Sequence, residues 1–327
     1  MDKYSLPCFR PVDRTVAITC MEIDTTRGFL YPIGLRGDTG VIFKVNLSDF
    51  SQVGRGSLSE TELYVPVIDM TNNFLYIGCY LDDGKVLKVD LPSLSEIDSV
   101  SFESGENYIT SAVIDVDNTF AYFGTATSPG QIVKVGLSPF ARLGKITLNS
   151  DEVNLYSAVI DNTTKQTYFG TSYATGGPFV VKVNVSPPDF ERIGAVDVLT
   201  GAGNLGVGII DETNGFAYFA DIGSALIYKI NLSLFTLDDT LSLGPFVNGV
   251  IDVASEFAYF GSGDGQIFKI NLDTFSEEDS LSTGYFFPLY GAAIDVTSGF
   301  AYFADTAGTI LKVSLDTFSV VSTLTLS

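Results

Sequence analysis

One phrase returns seven times along this chain: an apolar stretch closing on an aspartate, then a stretch of the type Phe-Ala-Tyr-Phe-Gly, then a short segment ending in Lys-Val or Lys-Ile. The aspartates are Asp24, Asp69, Asp115, Asp161, Asp211, Asp252 and Asp295, and successive members lie 45, 46, 46, 50, 41 and 43 residues apart. Two further columns keep the same register: Tyr31, Tyr76, Tyr122, Tyr168, Tyr218, Tyr259 and Tyr302, and Lys44, Lys88, Lys134, Lys182, Lys229, Lys269 and Lys312. Three columns of seven mean seven equivalent units. A period of about 40–50 residues with β-type composition is that of a propeller blade.

The third unit shows how a blade is built. Ile109–Asp115 reads as a first strand, 120–124 as a second, 131–135 as a third and 142–148 as a fourth, with turn-forming residues at Asp115-Val-Asp-Asn-Thr119, Ser128-Pro-Gly130 and Ser138-Pro139 between them. Four short antiparallel strands make one blade. The position three before each aspartate holds Met21, Pro66, Ala112, Ala158, Gly208, Gly249 and Ala292. Mostly small residues suit strands converging on an axis, so the first strand is expected innermost. The fold class is therefore all-β, a seven-bladed β-propeller with four antiparallel strands per blade. Residues 1–14 form an N-terminal extension, and the blades fall at about 15–60, 61–106, 107–152, 153–202, 203–244, 245–286 and 287–327.

Composition then bounds function. No run of about 18 apolar residues marks a membrane span. A formal net charge of −21 repels phosphate backbones, so nucleic acid is not expected as a partner. Histidine and tryptophan are both absent, which removes the commonest general base near neutral pH, the commonest transition-metal ligand and the usual stacking platform for sugars. No glycine-rich phosphate loop, GxSxG or HExxH occurs. Cys8, Cys20 and Cys79 contain no CxxC pair, leaving either a Cys8–Cys20 bridge or buried thiols. The first fourteen residues lack the apolar core of a secretory signal.

The phrase Ala112-Val-Ile-Asp115, Phe120-Ala-Tyr-Phe-Gly-Thr125, Pro129-Gly-Gln-Ile-Val-Lys-Val135 resembles the YVTN- and NHL-like propeller repeats of extracellular and surface-layer proteins. The resemblance covers roughly residues 15–327, and it implies a protein that binds, scaffolds or assembles. Phe-Ala-Tyr-Phe-Gly replaces the YVTN pattern itself, so no functional residue of that family carries over.

Candidate site residues follow from the columns and from breaks in them. The seven aspartates are weak candidates for a Ca²⁺ site at one end of the channel; capping the turn after each strand is the alternative role. In the column two before the aspartate, Glu22 is the only charge among Val67, Val113, Val159, Ile209, Val250 and Ala293, which makes it the channel candidate for ligand or acid–base work. The lysines, present in seven copies, are expected to pair with a carboxylate or a tyrosine hydroxyl within the blade. Arg36-Gly37-Asp38 and Asp83-Gly84 read as hairpin turns. Asn46, Asn162, Asn184 and Asn231 head Asn-x-Ser/Thr sequons and are the glycosylation candidates; three of them directly follow a Lys-Val or Lys-Ile strand.

The expected function is a non-enzymatic extracellular or cell-surface scaffold, structural or binding, that assembles with itself into a glycosylated filament or binds another protein. The leftover segment 1–14 is a candidate for donating a strand to a neighbouring copy. Two other classes compete: a propeller enzyme, a Ca-dependent lyase or hydrolase with its site at the channel mouth, and an intracellular protein-interaction platform. No catalytic residue and no cofactor is assigned, Ca²⁺ being the one candidate ion.

Overall fold

Each repeat unit closes into its own sheet. A computed structural model describes residues 16–172, 177–198, 203–285 and 287–327. In the first blade β1 (Val16–Asp24), β2 (Phe29–Arg36), β3 (Thr39–Asn46) and β4 (Ser51–Leu58) pair in chain order, all antiparallel. Among the described residues the pattern repeats through twenty-eight strands in seven four-stranded sheets, each built from consecutive strands. The molecule is a seven-bladed β-propeller. In blade 3 the strands run Ile109–Asp115, Phe120–Thr125, Gln131–Leu137 and Phe140–Thr147, so the fourth begins two residues earlier than its sequence suggests. No helix of the described residues is long and apolar enough to cross a membrane.

The first strand of every blade is innermost. Neighbouring inner strands pack on one another round the ring, and β1 packs against the inner strand of blade 7, Gly291–Asp295, so the ring closes without a shared strand. The segment proposed to donate a strand lies outside the described residues.

What holds blade to blade is read from the second strand, whose residues after the first are buried on both faces in every blade but the first. A strand sandwiched between neighbours loses polar alternation for that reason. The tyrosine column lies here, each ring at most 1 % exposed. Each tyrosine meets a side chain of the next blade: Tyr76 meets Phe140 at 5.4 Å between centroids, Tyr122 meets Phe190 at 5.5 Å, and Tyr168 meets Phe235 at 5.9 Å. Tyr218 with Phe275, Tyr259 with Phe318 and, across the closure, Tyr302 with Phe50 continue the series at 5.8, 5.9 and 5.8 Å. At the remaining junction Tyr31 shares a core cluster with Leu94. Aromatic pairs of this kind add about 0.5–1.5 kcal/mol each beyond the area they bury. The glycine closing the Phe-Ala-Tyr-Phe-Gly phrase permits the approach: a Cβ on Gly170 would stand 2.8 Å from the Leu205 Cβ of the next blade.

The outer strands carry a shared irregularity. In all seven blades the register slips just after the column lysine, leaving one bulged residue: Val53, Ile97, Leu143, Ile193, Asp238, Glu278 and Val321. A bulge twists an exposed edge and blunts indiscriminate strand pairing.

Candidate functional site

The seven aspartates end the inner strands, and their carboxylates turn back on the chain. Oδ1 of Asp24, Asp69 and Asp211 accepts the backbone N–H three residues on at 2.9 Å. Asp115, Asp252 and Asp295 do the same at 3.3, 3.1 and 3.0 Å, and Asp161 takes the amides of Thr163 and Thr164. Aspartate favours such turns because its short carboxylate reaches the amides that the turn leaves open. Among the described residues no group of three or more Asp, Glu or Cys stands close enough to hold a metal ion.

The lysine column departs from its expected pairing with carboxylate or hydroxyl. Lys44, Lys88, Lys134, Lys229, Lys269 and Lys312 set Nζ 3.8–4.3 Å from the ring centroid of Phe29, Phe74, Phe120, Phe216, Phe257 and Phe300, the first residue of the neighbouring strand. In blade 4 Gln166 takes the phenylalanine's place, and Lys182 keeps the more distant ring of the next blade, Phe235 at 5.2 Å, a contact that Lys88, Lys134, Lys229 and Lys312 also make at 5.6–5.8 Å with Phe140, Phe190, Phe275 and Phe50. A cation over an aromatic face is attracted by the ring quadrupole. Burial pulls Lys134 and Lys182 below the usual lysine range.

Glu22 lies on β1, partly buried, and burial pushes its carboxyl up to about 8. It stands apart from the mouth cavity described below. Cys20 and Cys79 are buried free thiols, and burial pushes Cys20 up to about 12, which leaves it unreactive. Cys8, and with it any Cys8–Cys20 pairing, lies outside the described residues.

Strand alternation sorts the loops onto two faces. The first and third strands of a blade run the same way, so the turns after both share one face. Asn46, Asn184 and Asn231 end third strands and Asn162 sits in the turn after Asp161, so all four sequons lie on that face with the aspartates. Oδ1 of Asn46 and of Asn231 accepts from the N–H and the Oγ of Ser48 and Ser233, respectively. Asn184 accepts from the Ser186 N–H and gives Nδ2 to Asp189, and Asn162 gives Nδ2 to Glu212.

The opposite face holds what the columns did not reveal. Near its start, the inner strand of blades 1 to 6 carries a second bulge, at Thr19, Tyr64, Thr110, Tyr156, Gly206 and Val247, and Tyr290 of blade 7 is the corresponding residue just before the strand. Bulges re-aim side chains, and these seven line one cavity of about 240 Å³ on the propeller axis. The Asp, Tyr and Lys columns each hold one residue type, whereas this column holds threonine, tyrosine, glycine and valine, so the repeat does not dictate it. Tyr64 is backed by Tyr80 at 5.6 Å, Tyr80 stacks on Tyr108 at 4.7 Å, and the Tyr108 hydroxyl bonds Asp82. The Thr19 hydroxyl donates to Leu63 O at 3.0 Å and that of Thr110 to Leu155 O at 2.8 Å, tying blade 1 to blade 2 and blade 3 to blade 4. The column itself, five residues before each aspartate, was there to be seen, but its variability hid it among irregular positions.

A second group missed from sequence is the set of connector carboxylates between early blades. Glu106 and Glu152 are buried and accept from Nε of Arg142 and Arg192 at 2.8 Å each, and Glu60 pairs with Lys85 at 2.7 Å. Burial by itself would raise the Glu106 carboxyl, but Arg142 and the Glu103 amide hold it below the usual range. Their 46-residue spacing, Glu60, Glu106 and Glu152, was the signal. Comparison of the chain with protein-family models and with curated proteins finds no match, so its place among proteins rests on the seven-bladed β-propeller architecture.

Proposed function

We propose that the protein is a non-enzymatic structural scaffold that associates with further copies of itself through its rim, in an extracellular or surface setting with glycans on one face. The rim carries this reading. The bulged residue of the outer strand is Val321, Val53, Ile97, Leu143 and Ile193 in five consecutive blades, 7, 1, 2, 3 and 4, each 49–53 % exposed. In blades 5 and 6 it is Asp238 and Glu278, beside Asp239 and Asp279. The bulged residues therefore make an apolar arc, flanked by Glu96 and Asp98 in blade 2, and an acidic arc. A contact between the apolar arc and a different surface of the next copy is heterologous and extends into filaments where its rotation does not close, while the acidic arc, costly to bury unpaired, stays in solvent.

The four sequons support the setting, because a glycan on the aspartate face would leave the rim and the opposite face uncovered. The resemblance to YVTN- and NHL-like surface propellers agrees with it. With −21 charges per copy, association has to overcome self-repulsion, which salt screens over about 8 Å at physiological ionic strength. Polymer should therefore form more readily as salt rises.

Electron microscopy and sedimentation velocity of the full chain, from low to high salt, test this. Expected are filaments or sheets, lost in the double variant Leu143→Asp, Ile193→Asp. Dispersed single discs at every salt concentration, or unchanged assembly in the variant, would overturn the rim reading.

A further inference from the structure

We propose that the axial cavity on the face opposite the sequons binds a small quaternary-ammonium cation of the choline type. The site is independent of rim association. Its tyrosines come from blades 2, 4 and 7, no two of them adjacent, so aromatic side chains surround the axis from three sides. Tyr64 is held in place by the Tyr80 and Tyr108 stack, which limits the ordering a ligand has to impose.

Charge selects the sign of the ligand. Among the described residues that line the cavity there is no lysine or arginine, and Glu62 is the only acidic one. An anion would meet only neutral hydroxyl donors there and a net charge of −21, whereas a cation gains from the rings and the overall field alike. A neutral sugar gains nothing from the net charge or the ring quadrupoles, and the hydroxyl protons of Thr19 and Thr110 are already given to the carbonyls of Leu63 and Leu155, so its polar contacts would fall to Thr61, Thr306 and the tyrosine hydroxyls. Size agrees: about 240 Å³ exceeds the roughly 150 Å³ cavity that admits benzene and falls below the range of about 300–1,000 Å³ typical of drug-sized ligands.

The test is a calorimetric titration of the full chain, at fixed ionic strength, with choline chloride, with its neutral isostere 3,3-dimethylbutan-1-ol and with glucose. Expected is saturable choline binding, with the isostere at least about tenfold weaker. Tyr156→Val and Tyr290→Val should each weaken choline about 3- to 30-fold, the range for one cation–π contact. Valine is chosen because Val247 occupies the same bulge in blade 6, and a melting curve for each variant separates lost binding from lost fold. Should both variants unfold, the choline-to-isostere ratio on the unaltered chain decides. Equal binding of the isostere, preference for glucose, unchanged affinity in folded variants, or no choline binding up to about 50 mM, where a millimolar site is saturated, would overturn the proposal.

Discussion

Blade 4 offers a natural control for the worth of the lysine–aromatic contacts. Phe235 is the ring of blade 5 that meets Tyr168 at 5.9 Å and also receives Lys182 at 5.2 Å, and with Gln166 in place of the phenylalanine that serves the other lysines it is the nearest ring Lys182 has. Phe318 holds the equivalent place against Tyr259 at 5.9 Å, but there Lys269 lies over Phe257 at 3.9 Å. Leucine is already native at this position in blade 2, where Leu94 has φ 56° beside 51° and 43° for Phe235 and Phe318. Phe→Leu is therefore conformationally matched at both sites. Phe318→Leu should lose the aromatic pair and some packing, about 1–2 kcal/mol in all. Phe235→Leu should lose the same plus a partly desolvated cation–π contact of about 1 kcal/mol. Unfolding entropy of about 2.1 cal/mol/K per residue over 327 residues makes that extra kilocalorie worth roughly 1.5 °C in melting temperature. Scanning calorimetry on both variants, with and without Lys182→Met, reads the difference and the coupling between Phe235 and Lys182. Equal losses at the two sites with no coupling would refute the idea that the lysine column is held by rings.

Two further outcomes are expected. Glu22 has a folded-state value of about 8 against 4.5 in an unfolded chain, so the folded state holds the proton more tightly; its stabilising effect is complete below about pH 4.5 and is lost as pH rises through 8. Glu22→Gln should flatten that fall, gaining stability relative to the parent at pH 9 but not at pH 5 in paired melting curves. Asp211→Ala removes the acceptor of the Asn214 N–H at 2.9 Å and of its Nδ2 at 2.8 Å, and should cost about 1–3 kcal/mol, while Asp211→Asn, which keeps an acceptor, should cost less; a loss equal in both would deny the capping role.

The sequence alone determined the blade. Apolar strands between turn residues, recurring with Asp, Tyr and Lys in register, specify four antiparallel strands seven times over, because those signals act between residues close along the chain. The turn role of Asp295 was legible for the same reason: its partner, the Ser298 amide, is three residues away. What lay beyond the sequence was decided between blades. Lys182 meets Phe235 only because the fifth blade packs on the fourth, fifty-three residues later in the chain. The bulges that turn Tyr64 and Tyr156 to the axis, and Leu143 and Ile193 to the rim, arise from slips in strand register, which pairing and packing set and a one-dimensional pattern does not display. The repeat fixes what every blade shares, and closure of the ring gives the unshared residues a common axis and a common edge.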